Sequence, residues 1–333
     1  MSQKVFAVIG SNSFTGSHIV STLLEDSSNF VIGLSRSPEK SVFFLPYKNK
    51  KYNLNKFRFF QNDFARQTDQ LLTILDEFRP SCIINLAALN EVYLSNFRPL
   101  EYFQTNCLGL INLCFNLKTR KYLEKYVHIS SAEVYGNCSE PLMESAPLYP
   151  STPYAVSKAT ADMYLATLFK NFDFPVMIVR STNVYGKHQL LHKIIPRTII
   201  NLKKGEKTKL HGGGHAVKTW IHVSDVANGV VTISQLGKPG EIYHFSDVNS
   251  YSIKDLVRKI CHFMGYDFES SVESVEERLG QDAQYLLDYS KAERELSWFP
   301  QISFDQGLKE TIAWLEEEWD QVSKESLVYV HQA

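Results

Sequence analysis

One stretch near the start of the chain decides the fold: Lys4-Val5-Phe6-Ala7-Val8-Ile9-Gly10-Ser11-Asn12-Ser13-Phe14-Thr15-Gly16. The apolar run predicts a short buried strand over Lys4–Ile9, and the glycine-rich loop leads into a predicted helix over Gly16–Leu24. Gly10 allows a tight turn, and Gly16 allows close helix–strand packing with a pyrophosphate at the helix N-terminus. Ser13 stands where a third glycine is usual, so its hydroxyl can donate to a phosphate or crowd it. We therefore predict a dinucleotide site that includes Gly10, Ser13, Phe14, Thr15 and Gly16.

Strands and helices alternate outward from this stretch. The predicted strands are Lys4–Ile9, Phe30–Leu34, Phe57–Gln61, Cys82–Ala87, Tyr126–Ser130 and Val176–Arg180, and the predicted helices are Gly16–Leu24, Asp69–Phe78, Leu100–Leu117 and Tyr154–Phe169. Because the strands are continuous apolar runs, we predict an α/β fold with a doubly wound parallel sheet covered by helices on both faces. Ligands of such sheets bind at the carboxyl ends of the strands.

Beyond residue 180 the pattern loosens into a predicted smaller lobe. Further helices are predicted over Asp225–Ser234, Ile253–Met264 and Phe304–Trp319. We predict a dinucleotide-binding domain over residues 1–180, with 219–247 returning to it. Residues 181–218 and 248–325 would then form an interleaved C-terminal substrate lobe.

Composition excludes several classes of protein. The chain of 333 residues has a formal net charge of −1, so no strong field favours nucleic acid or an acidic membrane surface. No apolar stretch reaches membrane-spanning length. The five cysteines are scattered without CxxC spacing, which argues against a disulfide framework or a metal site and favours a reducing compartment. We predict a cytoplasmic protein without a metal ion.

Three residues form a predicted oxidising set. Tyr154 and Lys158 lie four apart on one predicted helix, so they share a face. The ammonium can lower the pKa of the phenol, and the phenolate can then take a proton from a substrate hydroxyl. Ser131 follows the preceding predicted strand, and a dinucleotide bound nearby can accept a hydride from the same carbon. These residues predict oxidoreductase chemistry.

The end of the second predicted strand bears on the cofactor. It reads Ser35-Arg36, with no carboxylate for an adenosine ribose, and an arginine suits a 2′-phosphate. We therefore predict NADP slightly favoured over NAD, tightly bound and recycled; the alternative is that Arg36 stacks on the adenine or lies on the surface. Asp63 is a candidate for the adenine edge or a solvated loop residue. The predicted cofactor set is completed by Phe64, Ala87, Tyr154 and Lys158.

The chain resembles the extended short-chain dehydrogenase/reductases that act on nucleoside-diphosphate sugars. The matching segments are Gly10–His18, Ala87-Ala88, Thr105-Asn106, Ser130–Gly136, Pro153–Lys158, Arg180–Gly186, Trp220–Val226 and the C-terminal runs Arg278–Asp288, Ser290–Ala292 and Glu295–Trp298. The resemblance implies a Rossmann-type domain, a small nucleotide-sugar lobe, usually a homodimer, and Ser131, Tyr154 and Lys158 as the shared oxidising set.

Glu133 separates the chemistries within this family. The resemblance implies that a glutamate here is typical of dehydratases and uronic-acid decarboxylases, whereas C4 epimerases more often have an uncharged residue. A ketone at C4 acidifies the C5 hydrogen; Glu133 can remove it, the C6 hydroxyl leaves, and the hydride returns to C6. Ala132 stands where many glucose-type dehydratases have an aspartate, so Glu133 itself can deliver the proton to C6.

Five residues match substrate contacts in the family: Asn90, Asn183, Lys193, Lys218 and Arg278. Taken alone, Lys193 and Lys218 would most often be solvated surface lysines. The segment around Asn90 departs from the related Ala-Ala-x-Ser-His-Val pattern, because Glu91 stands at the histidine position. Either the hexose is unusual or Glu91 faces water.

We predict a nucleoside-diphosphate-hexose 4,6-dehydratase. The alternatives are a C4 epimerase, a decarboxylase of the UDP-glucuronate type, and a cofactor-binding sensor without activity, against which the intact oxidising set argues. A homodimer is predicted through Leu100–Leu117 and Tyr154–Phe169, unless these helices only cover the sheet. The predicted seam consists of Leu108, Leu110, Leu113, Leu117, Leu165 and Leu168.

Overall fold

The computed structural model describes residues 4–49, 51–277, 280, 282–329 and 331. Its strands are β1 Lys4–Ile9, β2 Asn29–Ser35, β3 Phe57–Gln61, β4 Cys82–Asn85, β5 Lys125–Ile129, β6 Val176–Ser181, β7 Asn183–Tyr185, β8 Thr208–His211, β9 Val217–His222, β10 Ile242–Phe245, β11 Ser250–Ser252 and β12 Val272–Val275. Its helices are α1 Phe14–Leu24, α2 Thr68–Phe78, α3 Val92–Ser95, α4 Pro99–Tyr102, α5 Leu110–Leu117, α6 Pro153–Phe172, α7 Ile194–Lys204, α8 Val223–Leu236, α9 Ile253–Met264, α10 Phe268–Ser271, α11 Ser290–Leu296, α12 Phe304–Glu317 and α13 Trp319–Val322.

The central sheet has seven strands in the order β10-β6-β5-β4-β1-β2-β3. All six neighbouring pairs are parallel. The interior strands are rich in Val and Ile, and Val8, Ile32, Ile84 and Val127 are completely buried. Strands buried on both faces need helices on both sides of the sheet. The predicted Rossmann-type parallel fold is confirmed.

Two apolar cores lie on the two faces of this sheet. One face packs against α1 and α8, through residues such as Ile19 and Val230. The other packs against α2, α5 and α6, through residues such as Leu71 and Leu165. Helix α8 and strand β10 lie within 219–247, so that stretch returns to the central sheet; the complete division into two domains stays a prediction.

The smaller lobe combines two short sheets with helices α7, α9 and α12. One sheet has the order β11-β9-β7 and the other pairs β12 with β8. Its apolar core includes Ile199, Leu256 and Leu308. Strand β7 follows β6 directly, so the lobe begins beside the carboxyl ends of the central strands. Among the described helices, none is both long and apolar enough to cross a membrane.

The predicted single helix Leu100–Leu117 is a continuous helical stretch whose pitch changes in the middle. It consists of α4, a wide π-helical segment over Phe103–Gly109, and α5. The side chain of Asn106 lies at this wide segment: its Oδ1 accepts from Leu89 N at 2.8 Å, and its Nδ2 donates to Leu89 O at 3.0 Å and to Ser157 Oγ at 2.9 Å. The apolar pattern does not reveal such a segment because it depends on partners far along the chain.

The predicted dimer seam is wrong for five of its six leucines. Leu110, Leu113, Leu117, Leu165 and Leu168 are at most 2% exposed and cover the sheet of their own chain. Leu108 alone of the six is on the surface, at 62% exposed. The leucines lie on one side of each helix and exposed residues lie on the other. The more apolar side packs against the sheet, so the leucines are not available to a second copy of the chain.

Candidate active site

The glycine loop after β1 forms a close-fitting turn. Gly10 has φ of 95°, and a side-chain carbon there would lie 3.0 Å from the backbone nitrogen of Ala87. A side chain on Gly16 would overlap the Gly10 carbonyl. Both glycines therefore let the loop close tightly against β4 and against the start of α1, and the N-terminal turn of this helix, which begins with Phe14 and Thr15, is the kind of element that binds phosphate. The residues present fit a dinucleotide pyrophosphate.

Ser13 caps α1 from within the loop. Its hydroxyl donates to Gly10 O at 2.7 Å and accepts from Gly16 N at 3.1 Å. With its proton directed at the Gly10 carbonyl, the hydroxyl stabilises the turn and is not free to donate to a phosphate. The sequence position suggested a phosphate contact; the structure instead shows a helix N-cap.

The ends of β2 and β3 adjoin this loop. Ser35 Oγ accepts from Asn12 N at 2.9 Å, which fixes the glycine loop to β2. Arg36 follows, and its carbonyl accepts from Gln61 Nε2 of β3 at 3.0 Å. The loop after β3 is closed by its own aspartate, because Asp63 Oδ1 accepts from Ala65 N at 3.1 Å. The predicted adenosine residues therefore share one edge of the sheet.

Phe64, placed in the predicted cofactor set, lies in the apolar core beneath the α2 side of the sheet. It supports the loop that carries Asp63.

The oxidising set is assembled at the end of β5. Ser131 Oγ accepts from Glu133 N at 3.2 Å, and hydrogen bonding by Ser131 acts to lower the pKa of the Tyr154 phenol. Lys158, on the same face of α6, donates to Ile129 O at 2.7 Å. Burial lowers the pKa of Lys158 to about 8, against the nearby charge of Asp162.

The protonation of Tyr154 differs from the sequence-based expectation. Burial, followed by the charge of Glu133, raises the pKa of this phenol, and the hydrogen bond with Ser131 only opposes that change. Lys158, which was expected to lower this pKa, directs its ammonium at Ile129 O, at 2.7 Å, and lies 3.2 Å from Nε2 of His128. Ser131 is therefore the neighbour that favours the phenolate in this arrangement.

A buried polar network lies behind Lys158. Its Nζ is 3.2 Å from Nε2 of His128. Asp162, one helical turn beyond Lys158, accepts from Arg180 Nε and from Ser130 Oγ, each at 2.9 Å. Residues of β5 and β6, His128 and Arg180, thus hold the Lys158 side of α6 in place.

Glu133 lies in the short turn Ala132–Tyr135 that follows Ser131. Burial raises its pKa to about 7, although the charge of Lys218 acts in the opposite direction and that of Asp282 adds to the increase. A carboxyl group with this pKa is present in both protonation states near neutral pH. It can therefore accept a proton and later return it.

A second group of residues faces Glu133 from the small lobe. Lys218 donates to Asp282 O at 2.7 Å and lies 4.4 Å from the centre of the Tyr285 ring. Tyr285 Oη donates to Asn183 Oδ1 at 3.1 Å. Lys218 is half-buried, and this partial burial lowers its pKa against the charges of Glu133 and Asp282. It is not a solvated surface lysine.

Lys193 and Glu91 form a charged pair whose two charges act on Glu133 in opposite directions. The Lys193 ammonium forms an ion pair with Glu91, whose Oε1 also lies 3.1 Å from His192 Nε2. Glu91 thus joins the loop after β4 to the start of α7 and does not simply face water. Asn90, beside it, is exposed. Arg278 lies outside the described residues, so its predicted contact stays a prediction.

Four further residues belong to this site. They are His128, Asp162, Asp282 and Tyr285. Asp162 had a signal in the sequence, since it follows Lys158 by four residues on the predicted helix. Asp282 and Tyr285 fall within the C-terminal run that resembles a nucleotide-binding segment. His128 is a polar residue inside an apolar strand, and its contact with Lys158 depends on strand direction. Among the described residues, no cluster of three His, Cys, Asp or Glu side chains is placed to hold a metal ion.

Comparison with known proteins gives three findings. The sequence pattern of the family described as GDP-mannose 4,6 dehydratase matches residues 8–311. The human dTDP-D-glucose 4,6-dehydratase is 30% identical over 332 residues, covering 96% of this chain and 93% of that protein. The dTDP-glucose 4,6-dehydratase DesIV from Streptomyces venezuelae, solved with NAD and TYD bound, is 31% identical, with a TM-score of 0.88 over 95% of this chain and 98% of that one.

Epimerases share the architecture. The UDP-glucose 4-epimerase from Thermotoga maritima is 23% identical, with a TM-score of 0.85 over 95% of this chain and 99% of that one. At this identity the likeness concerns the fold alone.

Proposed function

Because the chain belongs to the GDP-mannose 4,6 dehydratase family, we propose that it removes water from a nucleoside-diphosphate hexose at the site around Tyr154 and Glu133. The predicted family and the predicted 4,6-dehydratase function are confirmed by the family match and by the names of the relatives. The roles of individual residues are the proposal. The observation that carries it is the position of the Glu133 carboxyl group, two residues after Ser131 and with its backbone N donating to Ser131 Oγ at 3.2 Å; burial raises the pKa of this carboxyl to about 7.

The first step is oxidation at C4 of the hexose. A nicotinamide dinucleotide held by the glycine loop after β1 would supply the acceptor for the C4 hydride and the source of the hydride for C6. Tyr154 takes the proton of the C4 hydroxyl, and Ser131 donates to the same oxygen as it becomes a carbonyl. Lys158 holds the tyrosine face of α6 in place through Ile129 O.

The second step is elimination of water across C5 and C6. The new C4 ketone acidifies the C5 hydrogen, and ionised Glu133 removes it as a proton. The C6 hydroxyl then leaves as water with a proton from Glu133, since Ala132 supplies no acid. The proton released from the C4 hydroxyl replaces the one lost from C5. The product is a 4-keto-6-deoxy sugar, with no net oxidation.

A product assay tests this proposal against its alternatives. Purified protein is incubated with a panel of dTDP-, UDP-, GDP- and CDP-hexoses, and the products are weighed. Loss of one water from an intact nucleotide sugar supports dehydration. An unchanged mass with inverted C4 stereochemistry would indicate an epimerase. Loss of carbon dioxide from a uronic acid would indicate a decarboxylase, and the absence of any product would indicate a sensor. We propose a dTDP-hexose as the substrate, by analogy with the named relatives.

The cofactor is a nicotinamide dinucleotide, as expected for this family, and its adenosine end is a further proposal. Arg36 stands at the end of β2 where a carboxylate would bind an unmodified ribose, so we propose a slight preference for NADP over NAD. The DesIV structure was solved with NAD. Heating the purified protein and weighing the released dinucleotide distinguishes the two cofactors. Recovery of NAD alone would mean that Arg36 does not recognise a 2′-phosphate.

The homodimer is proposed through exposed apolar residues of the same two helices, of which only Leu108 belongs to the predicted leucine seam. Leu108 and Phe115 on the segment ending in α5, and Val156 and Met163 on α6, are exposed at helical spacing on the outer side of the two helices. A second copy of the chain would bury both apolar stripes. The oligomeric mass in solution at micromolar concentration tests this proposal.

The cytoplasmic location likewise stays a prediction, to be tested by cell fractionation.

A further inference from the structure

Glu91 joins the central domain to the small lobe beside the candidate active site. It lies on the loop between β4 and α3, and its backbone carbonyl accepts from Tyr102 Oη at 2.6 Å. Its carboxylate pairs with Lys193, the residue that caps α7, and lies 3.1 Å from His192. Its side chain is 21% exposed and that of Lys193 is 34% exposed. Both charged groups are therefore partly exposed to solvent, and their charges act on Glu133 of the candidate site.

Glu91 remains ionised throughout the working pH range. Burial tends to raise its pKa, but the hydrogen bond from His192 and the charge of Lys193 outweigh burial and lower the pKa to about 2. A carboxylate with this pKa cannot serve as the proton donor that Ala132 fails to provide. Glu91 instead contributes a fixed negative charge beside the lysine that the family resemblance assigns to substrate phosphate or sugar.

We propose that Glu91 competes with the diphosphate of the substrate for Lys193, so that nucleotide binding must break an ion pair between the two lobes. A lysine ammonium is a compact point charge and cannot bind two anions at full strength. A diphosphate carries more negative charge than one carboxylate, so the ligand can displace Glu91. The displaced carboxylate remains close and repels the ligand, which lowers affinity for nucleotide. This inference rests on the proposed function, because it uses the same nucleotide-sugar site.

The charge-neutral variant Glu91→Gln should therefore bind nucleoside diphosphates more tightly. The pair is partly exposed, and pairs of that kind contribute modestly, so we expect a three- to tenfold decrease in the Kd for dTDP, roughly. The affinity of the variant should also decrease more steeply with added salt, because an uncompensated lysine charge is screened by ions.

Calorimetric titration of dTDP and of UDP into four proteins tests the competition. The proteins are the wild type, Glu91→Gln, Lys193→Ala and the double variant, with unfolding temperatures measured to confirm that each is folded. Glu241→Gln is the matched control, because Glu241 also forms an ion pair with a lysine, Lys291, at 2.6 Å. This pair lies at the start of edge strand β10, whereas the candidate site lies at the carboxyl ends of the strands. Glu241→Gln should leave the Kd unchanged.

Competition requires that the gain from Glu91→Gln disappears when Lys193 is alanine. A Kd that is unchanged or increased in Glu91→Gln would overturn the proposal, since Glu91 would then be neutral or would orient Lys193 for the ligand. An equal gain in the Lys193→Ala background would also overturn it, because the effect would then be a general repulsion between Glu91 and the ligand.

Water loss from nucleotide sugars is measured separately. If Glu91→Gln binds dTDP more tightly while the wild type removes no water, the competition stands and the dehydratase proposal fails.

Discussion

Replacing Glu133 with glutamine should alter both the rate of water loss and the way that stability depends on pH. Glu133→Gln keeps the shape of the side chain but cannot accept or return a proton. We expect C4 oxidation to continue, seen as reduced cofactor, while water loss falls by about 10²–10⁴-fold. The residual rate is measured by mass spectrometry of the nucleotide sugar.

The pKa of Glu133 sets the pH dependence of the wild type. Glu133 must be ionised to take the C5 proton, and burial raises its pKa to about 7. The value of kcat/KM for water loss should therefore decrease tenfold per pH unit below about 7. Above about 8 it should decrease again as buried Lys158 loses its proton. A rate that stays flat between pH 5.5 and 8.5, roughly, would refute Glu133 as the base.

The same pKa has a consequence for stability with a definite sign. In the folded state the pKa of Glu133 is above its usual value of 4.5, so the folded protein binds the proton more tightly than the unfolded chain does. The contribution of Glu133 to the stability of the wild type is therefore lost as pH rises from 4.5 towards 7, and is completely lost above that range. The shift corresponds to at most about 3 kcal/mol, and to about 1–2 kcal/mol after allowance for partial solvent access.

Urea unfolding across this pH range measures the effect. Glu133→Gln should become more stable than the wild type by about 1–2 kcal/mol at pH 8, relative to their difference at pH 4.5, because glutamine has no charge to bury. Glu140→Gln, an exposed residue on the following connection, is the control and should show no such trend. Parallel stability curves for the wild type and Glu133→Gln would contradict the burial of this carboxyl group.

Four further variants test other parts of the site. Tyr154→Phe should bind cofactor but abolish both C4 oxidation and water loss, because the phenol that accepts the C4 proton is gone; full activity would exclude the dehydrogenase-type mechanism. Arg36→Ala should reduce any preference for NADP over NAD by about tenfold, measured as the ratio of the two Kd values. Asp162→Asn should destabilise the protein by about 3 kcal/mol in urea unfolding, because it leaves buried Arg180 without its ionised partner. Met163→Glu should convert a dimer to monomers in sedimentation analysis, and an unchanged mass would exclude this face as the interface.

The sequence alone determined the architecture and the oxidising set. Strand and helix periodicity is local, so β3 and α9 have the bounds that the apolar pattern predicts, Phe57–Gln61 and Ile253–Met264. The spacing of Tyr154 and Lys158 is also local, because residues four apart on a helix always share a face. Glycines at fixed positions in the loop after β1 are readable because they reflect backbone geometry within a few residues.

Only the tertiary structure decided how the site residues are charged and what they contact. Glu91 and Lys193 lie about a hundred positions apart in the chain, and their ion pair exists because α7 packs beside the loop after β4. The pKa of Glu133 depends on burial and on Lys218 and Asp282 from the small lobe. The hydroxyl of Ser13 became a helix cap through the angle at which the loop closes. Burial and electrostatic interaction depend on distances between segments that are remote in sequence, and periodicity and spacing carry no information about those distances.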